Sequence, residues 1–272
     1  MRATWGRRRP SRRFKTLFLI LFEGTLVMPV MKVERLTQRQ FEELRRLIAR
    51  KPITALKPKM FFIARSGIPT LAHTGWTPTL TCMKRELEEE MHWLGAEDDG
   101  SKWPKTTLGA LRDTDPGLTT DELKRLRTIC VASSPYLSST LVPVHRVSLV
   151  IYECRSLEKR LKTMRLDLLG TTLRTGHDEA DEDAMTFVDD LLAPFQADDL
   201  DDYLTDLRSA QRCAAHYRDR HIEPTLIHEL DANTWPAIDL FIEHVEAAFP
   251  DRYIWFEPSS RHVTIRSLRS AS

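Results

Sequence analysis

Apolar positions recur at helical spacing in four well-marked stretches of the chain. Phe41, Leu44, Leu47 and Ile48 follow the capping-box pattern Thr37-x-x-Gln40, which predicts a helix over 38–50 that Lys51-Pro52 ends. Met83, Leu87, Met91 and Leu94 make a second stripe over 81–94, with Lys84, Arg85, Glu86, Glu88 and Glu89 expected to be solvated around it. Thr119-x-x-Glu122 opens a third, carried by Leu123, Leu126, Ile129 and Cys130. Thr234 is positioned to cap the fourth, with Pro236 in its first turn and Trp235, Ile238, Phe241, Ile242, Val245 and Phe249 on one side, before Pro250-Asp251 stops it. A shorter helix is expected from Leu157, Leu161 and Met164.

Between these stretches the period changes to two. Met60 to Ala64 reads as a short strand, Val142 to Glu153 as a long one, and Tyr253 to Leu268 as a strand, a Pro-Ser-Ser turn and a second strand of one hairpin. Residues 66–78, rich in Gly, Pro and Thr, read as a loop, and His73 within them as a surface or loop-packing side chain. Alternating helices and short strands predict a mixed α+β protein.

With 272 residues, 42% of them hydrophobic, the chain can bury a real core in one bilobal domain or two small ones. A net charge of +1 argues against wholesale coating of nucleic acid but leaves local patches open. Arg155, Lys159, Arg160, Lys162 and Arg165 form one such basic rim, either an RNA contact or an ordinary solvated face. Cys82, Cys130, Cys154 and Cys213 are scattered without paired spacing, so a reduced intracellular protein with neither zinc site nor disulfide framework is expected. His216, His221 and His228 do not share a helical face, and no metal site is expected from them.

Residues 1–30 combine a cluster of arginines with the apolar run Leu17–Phe22, which is too short to span a bilayer. Three readings stand: an organelle-targeting peptide, a weak secretory signal, or untranslated sequence ahead of a start at Met28 or Met31. No membrane span is expected, and the location is cytoplasmic or organellar. From Asp178 to Asp206 the chain carries twelve carboxylates and no Lys or Arg, without a calcium-loop pattern. It reads as an acidic insertion, partly helical and partly mobile, which either screens a basic groove or simply links. The expected division is thus 1–30 as an extension, 31–170 as a first lobe, 171–232 as the acidic insertion and return segment, and 233–272 as the second-lobe helix and strands.

The candidate chemistry lies in the last strand. In an extended chain His262, Thr264 and Arg266 share one face, with Val263 and Ile265 opposite. An imidazole, a hydroxyl and a guanidinium in a row can bind and protonate a phosphate oxygen; an amphipathic edge strand with a polar outer face is the alternative. An echo occurs upstream, where Lys105-Thr-Thr107-Leu-Gly-Ala-Leu111 aligns without a gap on His262-Val-Thr264-Ile-Arg-Ser-Leu268, each after a helix-patterned segment. Gly109 leaves the backbone open for a ligand or a bulge.

Two helix-then-strand halves carrying His-x-Thr-aliphatic resemble the two-histidine (2H) phosphoesterase superfamily, which includes cyclic phosphodiesterases and 2'-5' RNA ligase-like proteins. The resemblance spans roughly 61–268, and Lys105 stands where the family has its other histidine. It implies two pseudo-symmetric lobes of mostly antiparallel sheet with outer helices around a central groove. It also implies phosphodiester hydrolysis or RNA end-processing on a 2',3'-cyclic or 2'-5' linked phosphate. His262 and Lys105 would take the catalytic positions, Thr264, Thr107 and Arg266 would bind phosphate, and no metal or cofactor is implied. The expected partner is RNA or a nucleotide phosphate, bound by a monomer. The alternatives are an inactive RNA- or nucleotide-binding protein and an α+β protein-interaction domain.

Overall fold

Both capping boxes close as the sequence predicts. The Gln40 amide donates to Thr37 Oγ1 at 3.2 Å while Gln40 Oε1 accepts from the Thr37 amide at 2.7 Å, and Thr119 and Glu122 repeat the exchange at 3.3 and 2.8 Å. The computed structural model describes residues 36–114, 116–170, 178–231 and 235–269, so the 1–30 extension and the Thr234 cap lie outside the described residues. In chain order the elements are α1 (Gln38–Ile48), β1 (Thr54–Leu56), β2 (Pro58–Ile63), β3 (Pro69–His73), α2 (Pro78–Glu90), β4 (Lys105–Thr107), β5 (Gly109–Leu111) and α3 (Thr120–Ser133). After them come β6 (Val142–Val144), β7 (Arg146–Tyr152), β8 (Arg160–Asp167), α4 (Glu182–Gln196), α5 (Asp201–Ala210) and α6 (Ala214–Arg218). The chain continues through β9 (Glu223–Glu229), α7 (Trp235–Ala248), β10 (Tyr253–Trp255) and β11 (His262–Ser267).

The architecture is α+β, with antiparallel pairing in every sheet. One sheet has the order β2-β3-β4, another β11-β9-β7-β8, and two further pairs join β1 to β6 and β5 to β10. Helices α3 and α7 cover the first sheet, where Phe61 and Phe241 stack with ring centroids 4.3 Å apart. Helices α1 and α2 pack on each other and reach the second sheet at β8 and β11. The helix preceding each motif strand therefore packs on the sheet that holds the other motif.

Several expectations are corrected. The Tyr253–Leu268 segment is not a hairpin, because β10 pairs with β5 and β11 with β9. Residues 157–164 do not form a helix; from Arg160 they form β8, which pairs along the whole of β7, and this ladder outweighs a weak local helix signal. The 66–78 loop contains β3, and His73 on it is fully buried between β2 and β4. Strands β7 and β8, grouped by sequence order with the first lobe, belong to the sheet of His262.

The acidic insertion is corrected as well. Helix α4 packs on β2 and α5 on α3, burying Val188, Leu192, Phe195, Tyr203, Leu204 and Leu207, and the Tyr203 hydroxyl donates to the Ile63 carbonyl at 2.6 Å. Lys59 pairs with Asp189, and Arg65 with Asp206 at 2.9 Å. Most of its carboxylates face outward, while Leu192, Leu200 and Leu204 join the core and Leu191 stays exposed. Phe195→Ala is therefore expected to lower unfolding free energy by about 3–5 kcal/mol; a change near zero in chemical denaturation would reduce the segment to a linker.

Two buried imidazoles make a second prediction. Burial, with the nearby His228, pushes His73 down to about 3; burial also pushes His228 down to about 4, against the Arg146 carbonyl that accepts from its Nδ1 at 3.2 Å and against Asp231 and Glu229. Both folded values lie below the ordinary 6.5, so this stability is fully present above pH 6.5. It is lost as the pH falls toward 4, because the unfolded chain takes up protons that the folded chain refuses. Each histidine contributes a slope of about 1.4 kcal/mol per pH unit in that window. Unfolding free energies at pH 6.5 and 5.5 check it, and a flat profile would show that the rings are solvated.

Candidate functional site

Two sheet edges make the site. Strand β4 is the edge of the three-stranded sheet, β11 is the edge of the four-stranded one, and the two lie against each other. Period-two alternation turns Thr106 and Val263 into the core and leaves Lys105, Thr107, His262 and Thr264 half-buried on the other side. All four line one cavity of about 270 Å³.

Arg266 does not join them. A register shift between Thr264 and Arg266 breaks the alternation, so Ile265 and Arg266 are both buried and Ser267 faces the cavity instead. The Arg266 guanidinium, 1% exposed, donates to the Gly95 carbonyl at 3.0 Å and lies 3.8 Å from Glu97. The expected phosphate-binding arginine is thus a structural one. Lys84 from α2 completes its cluster, pairing with Glu97 and donating to the carbonyls of Ile265 at 2.6 Å and Ser101 at 2.9 Å. The loop held in this way forms one rim of the cavity and presents the Gly100 carbonyl, which accepts from Lys105 Nζ at 2.6 Å. The same ammonium sits 4.4 Å from the centre of the Trp103 ring.

His262 is equally constrained. Its Nδ1 lies 2.6 Å from the Ser260 carbonyl, which can only accept, so Nδ1 carries the proton and Nε2 keeps a lone pair. Arg160 ties this turn down, pairing with Glu229 and donating to the Ser259 carbonyl at 3.0 Å. Burial pushes His262 down to about 4, helped by Arg160 and opposed by the Ser260 bond and Glu229. Burial also brings Lys105 down to about 8, with the positive charge of Lys84 adding. At neutral pH the cavity thus holds a neutral imidazole and an ammonium close to its titration point.

No protein-family model matches this chain, and no curated protein or solved structure is significantly similar to it. The chemistry of the site rests on its own geometry.

That geometry includes residues for which sequence reasoning gave no signal. Tyr152, Ser156, Tyr217 and Phe256 line the cavity, as does Arg155, previously grouped with a solvated rim. They come from the tip of the β7–β8 turn, from α6 and from the chain after β10, which are brought together by the fold. His73 lies apart, with its Nε2 3.5 Å from Thr106 Oγ1 behind β4. Gly109 serves neither ligand nor bulge: a Cβ there would come within 2.7 Å of the Ile254 carbonyl, so it is the approach of β10 that requires glycine. Among the described residues no group of carboxylates, histidines and cysteines could hold a metal ion.

Carbon-13 NMR of reductively methylated protein should show one lysine, absent in Lys105→Met, titrating near pH 8. A Lys105 midpoint above 10 would place that amine in bulk water.

Proposed function

We propose that this cavity carries out phosphodiester chemistry on a 2',3'-cyclic or 2'-5' linked nucleotide phosphate, in the manner of a two-histidine phosphoesterase with lysine at one position. The observation that carries the reading is the convergence of Lys105-x-Thr107 and His262-x-Thr264, distant in sequence, on one cavity. Thr107 and Thr264 hydroxyls suit the two non-bridging oxygens. His262 Nε2, unprotonated, accepts a proton from the attacking water as the new P–O bond forms. The Lys105 ammonium donates a proton to the leaving ribose oxygen as the old P–O bond breaks. An ammonium brought down to about 8 is a competent acid at neutral pH, where an ordinary lysine near 10.4 is not. RNA ends and small nucleotides both satisfy this chemistry.

The anchoring of Lys105 Nζ by the Gly100 carbonyl and the Trp103 ring supports a second reading, an inactive phosphate-binding protein in which the charge serves binding alone. Hydrolysis of a 2',3'-cyclic mononucleotide separates the two. Turnover is expected with a plateau between about pH 4 and 8, rising as His262 loses its proton and falling as Lys105 loses its own. His262→Ala and Lys105→Met should each cost about 10²- to 10⁴-fold. Lys105→His should keep turnover and move the alkaline limb toward neutrality. If the folded wild type and Lys105→His both turn nothing over, the enzymatic reading fails. Nucleotide binding that is then lost in the double variant Thr107→Val, Thr264→Val would support the binding protein.

A further inference from the structure

The wall of the cavity away from β4 is built at the tip of the β7–β8 turn. There the Ser156 amide donates to the Tyr217 carbonyl at 3.0 Å and Arg155 Nη1 donates to the His216 carbonyl at 3.4 Å, which fastens the turn to α6. Arg155 is half-buried and lines the cavity, beside the buried Ser156, whose hydroxyl donates to Glu158 at 2.9 Å. Arg212, just ahead of α6, is exposed and stands with Arg155 close enough to His216 and Tyr217 to act on both electrostatically.

Three neighbouring arginines are neutralised. Arg218 is bonded to Glu158 at 3.0 Å, Arg220 to Glu153 at 3.2 Å, and Arg160 to Glu229. Arg155 and Arg212 have no carboxylate partner among the described residues. Among the described residues the one acid lining the cavity, Asp98, is engaged by Arg269 at 3.4 Å. A half-buried guanidinium without a counter-ion is an anion site, because its fork of donors is partly stripped of water and matches phosphate oxygens in pairs.

This anion site is separate from the one at His262. In the sheet β7 lies two strands from β11, so the two are at least roughly 10 Å apart. They also sit toward opposite ends of β9, since His262 pairs with Glu229 while Tyr152, at the end of β7 next to Arg155, pairs with Glu223.

We infer that Arg155, with the nearby charge of Arg212, forms a second phosphate subsite. The substrate then carries a second phosphate, at a distance from the one held by the motif threonines. The inference rests on reading the cavity as a phosphate site. Two sources share this chemistry, a nucleoside bisphosphate and the penultimate phosphodiester of an oligonucleotide end.

Calorimetric binding of three ligands tests it: a nucleoside 2'-monophosphate, a nucleoside 2',5'-bisphosphate, and a dinucleotide ending in a 2'-phosphate. At least one of the last two should bind about 10- to 100-fold more tightly than the first, the worth of a charge-assisted pair. The ligand that gains identifies the source. Arg155→Gln, which keeps a donor for the His216 carbonyl, should erase that gain while leaving monophosphate affinity unchanged, and Arg155→Lys should restore part of it. Equal affinities for all three, loss of monophosphate binding in Arg155→Gln, or no binding of any ligand would overturn the subsite. Because turnover is not needed, a surviving affinity gap in an inactive protein would fail the catalytic reading alone.

Discussion

The site depends on a buried ion cluster. Lys84 on α2, Glu97 on the following loop and Arg266 on β11 are each largely removed from water, and they meet where the helix before one motif packs under the strand of the other. Burying such charges is costly unless each is paired and hydrogen-bonded, and removing one member of a buried set typically costs about 3–5 kcal/mol. Here the carbonyls of Ile265, Ser101 and Gly95 take up donors from Lys84 and Arg266. The cluster thereby fixes three things together: the bulge in β11, the loop that presents Gly100, and through Gly100 the position of the Lys105 ammonium.

The same cluster shapes the electrostatics. Lys84 pushes on Lys105 from behind, and desolvation acts in the same direction, which brings the amine toward neutrality. On the facing strand, desolvation and Arg160 keep the imidazole neutral while Ser260 fixes its tautomer. One neutral acceptor and one proton-bearing cation therefore face a shared cavity. The protein's net charge of +1 conceals this, because many cations of the described residues are paired with carboxylates, among them Arg218 with Glu158, Arg220 with Glu153, Lys59 with Asp189 and Arg65 with Asp206.

Edge strands bring a second constraint. Strands β4 and β11 leave ladder groups unpaired, a liability that most folds cover. Here the edges shelter one another and the space between them is the cavity. At the far edge β8 carries exposed Lys162 and Arg165, charges that discourage pairing with another chain.

Local pattern settled α1, α2 and α3, because their information is local: Thr37 with Gln40 and Thr119 with Glu122 close their boxes within one turn, and the three stripes bury the faces their spacing defines, although α2 also buries Lys84, which the pattern placed in solvent. It also settled which side chains share a face on each motif strand as far as Thr264, since alternation is a property of the extended chain. Beyond that point pairing decided. Which strands meet depends on partners far along the chain, so sequence order misassigned β7 and β8, joined β10 to β11 and made a helix of 157–164. A single bulge, invisible in composition, turned Arg266 from the cavity into the core, and the tip of the β7–β8 turn brought Arg155 in. The sequence by itself determined the chemistry available on each strand; the tertiary structure decided that Lys105 and His262 share a cavity, because only packing brings two sheet edges together.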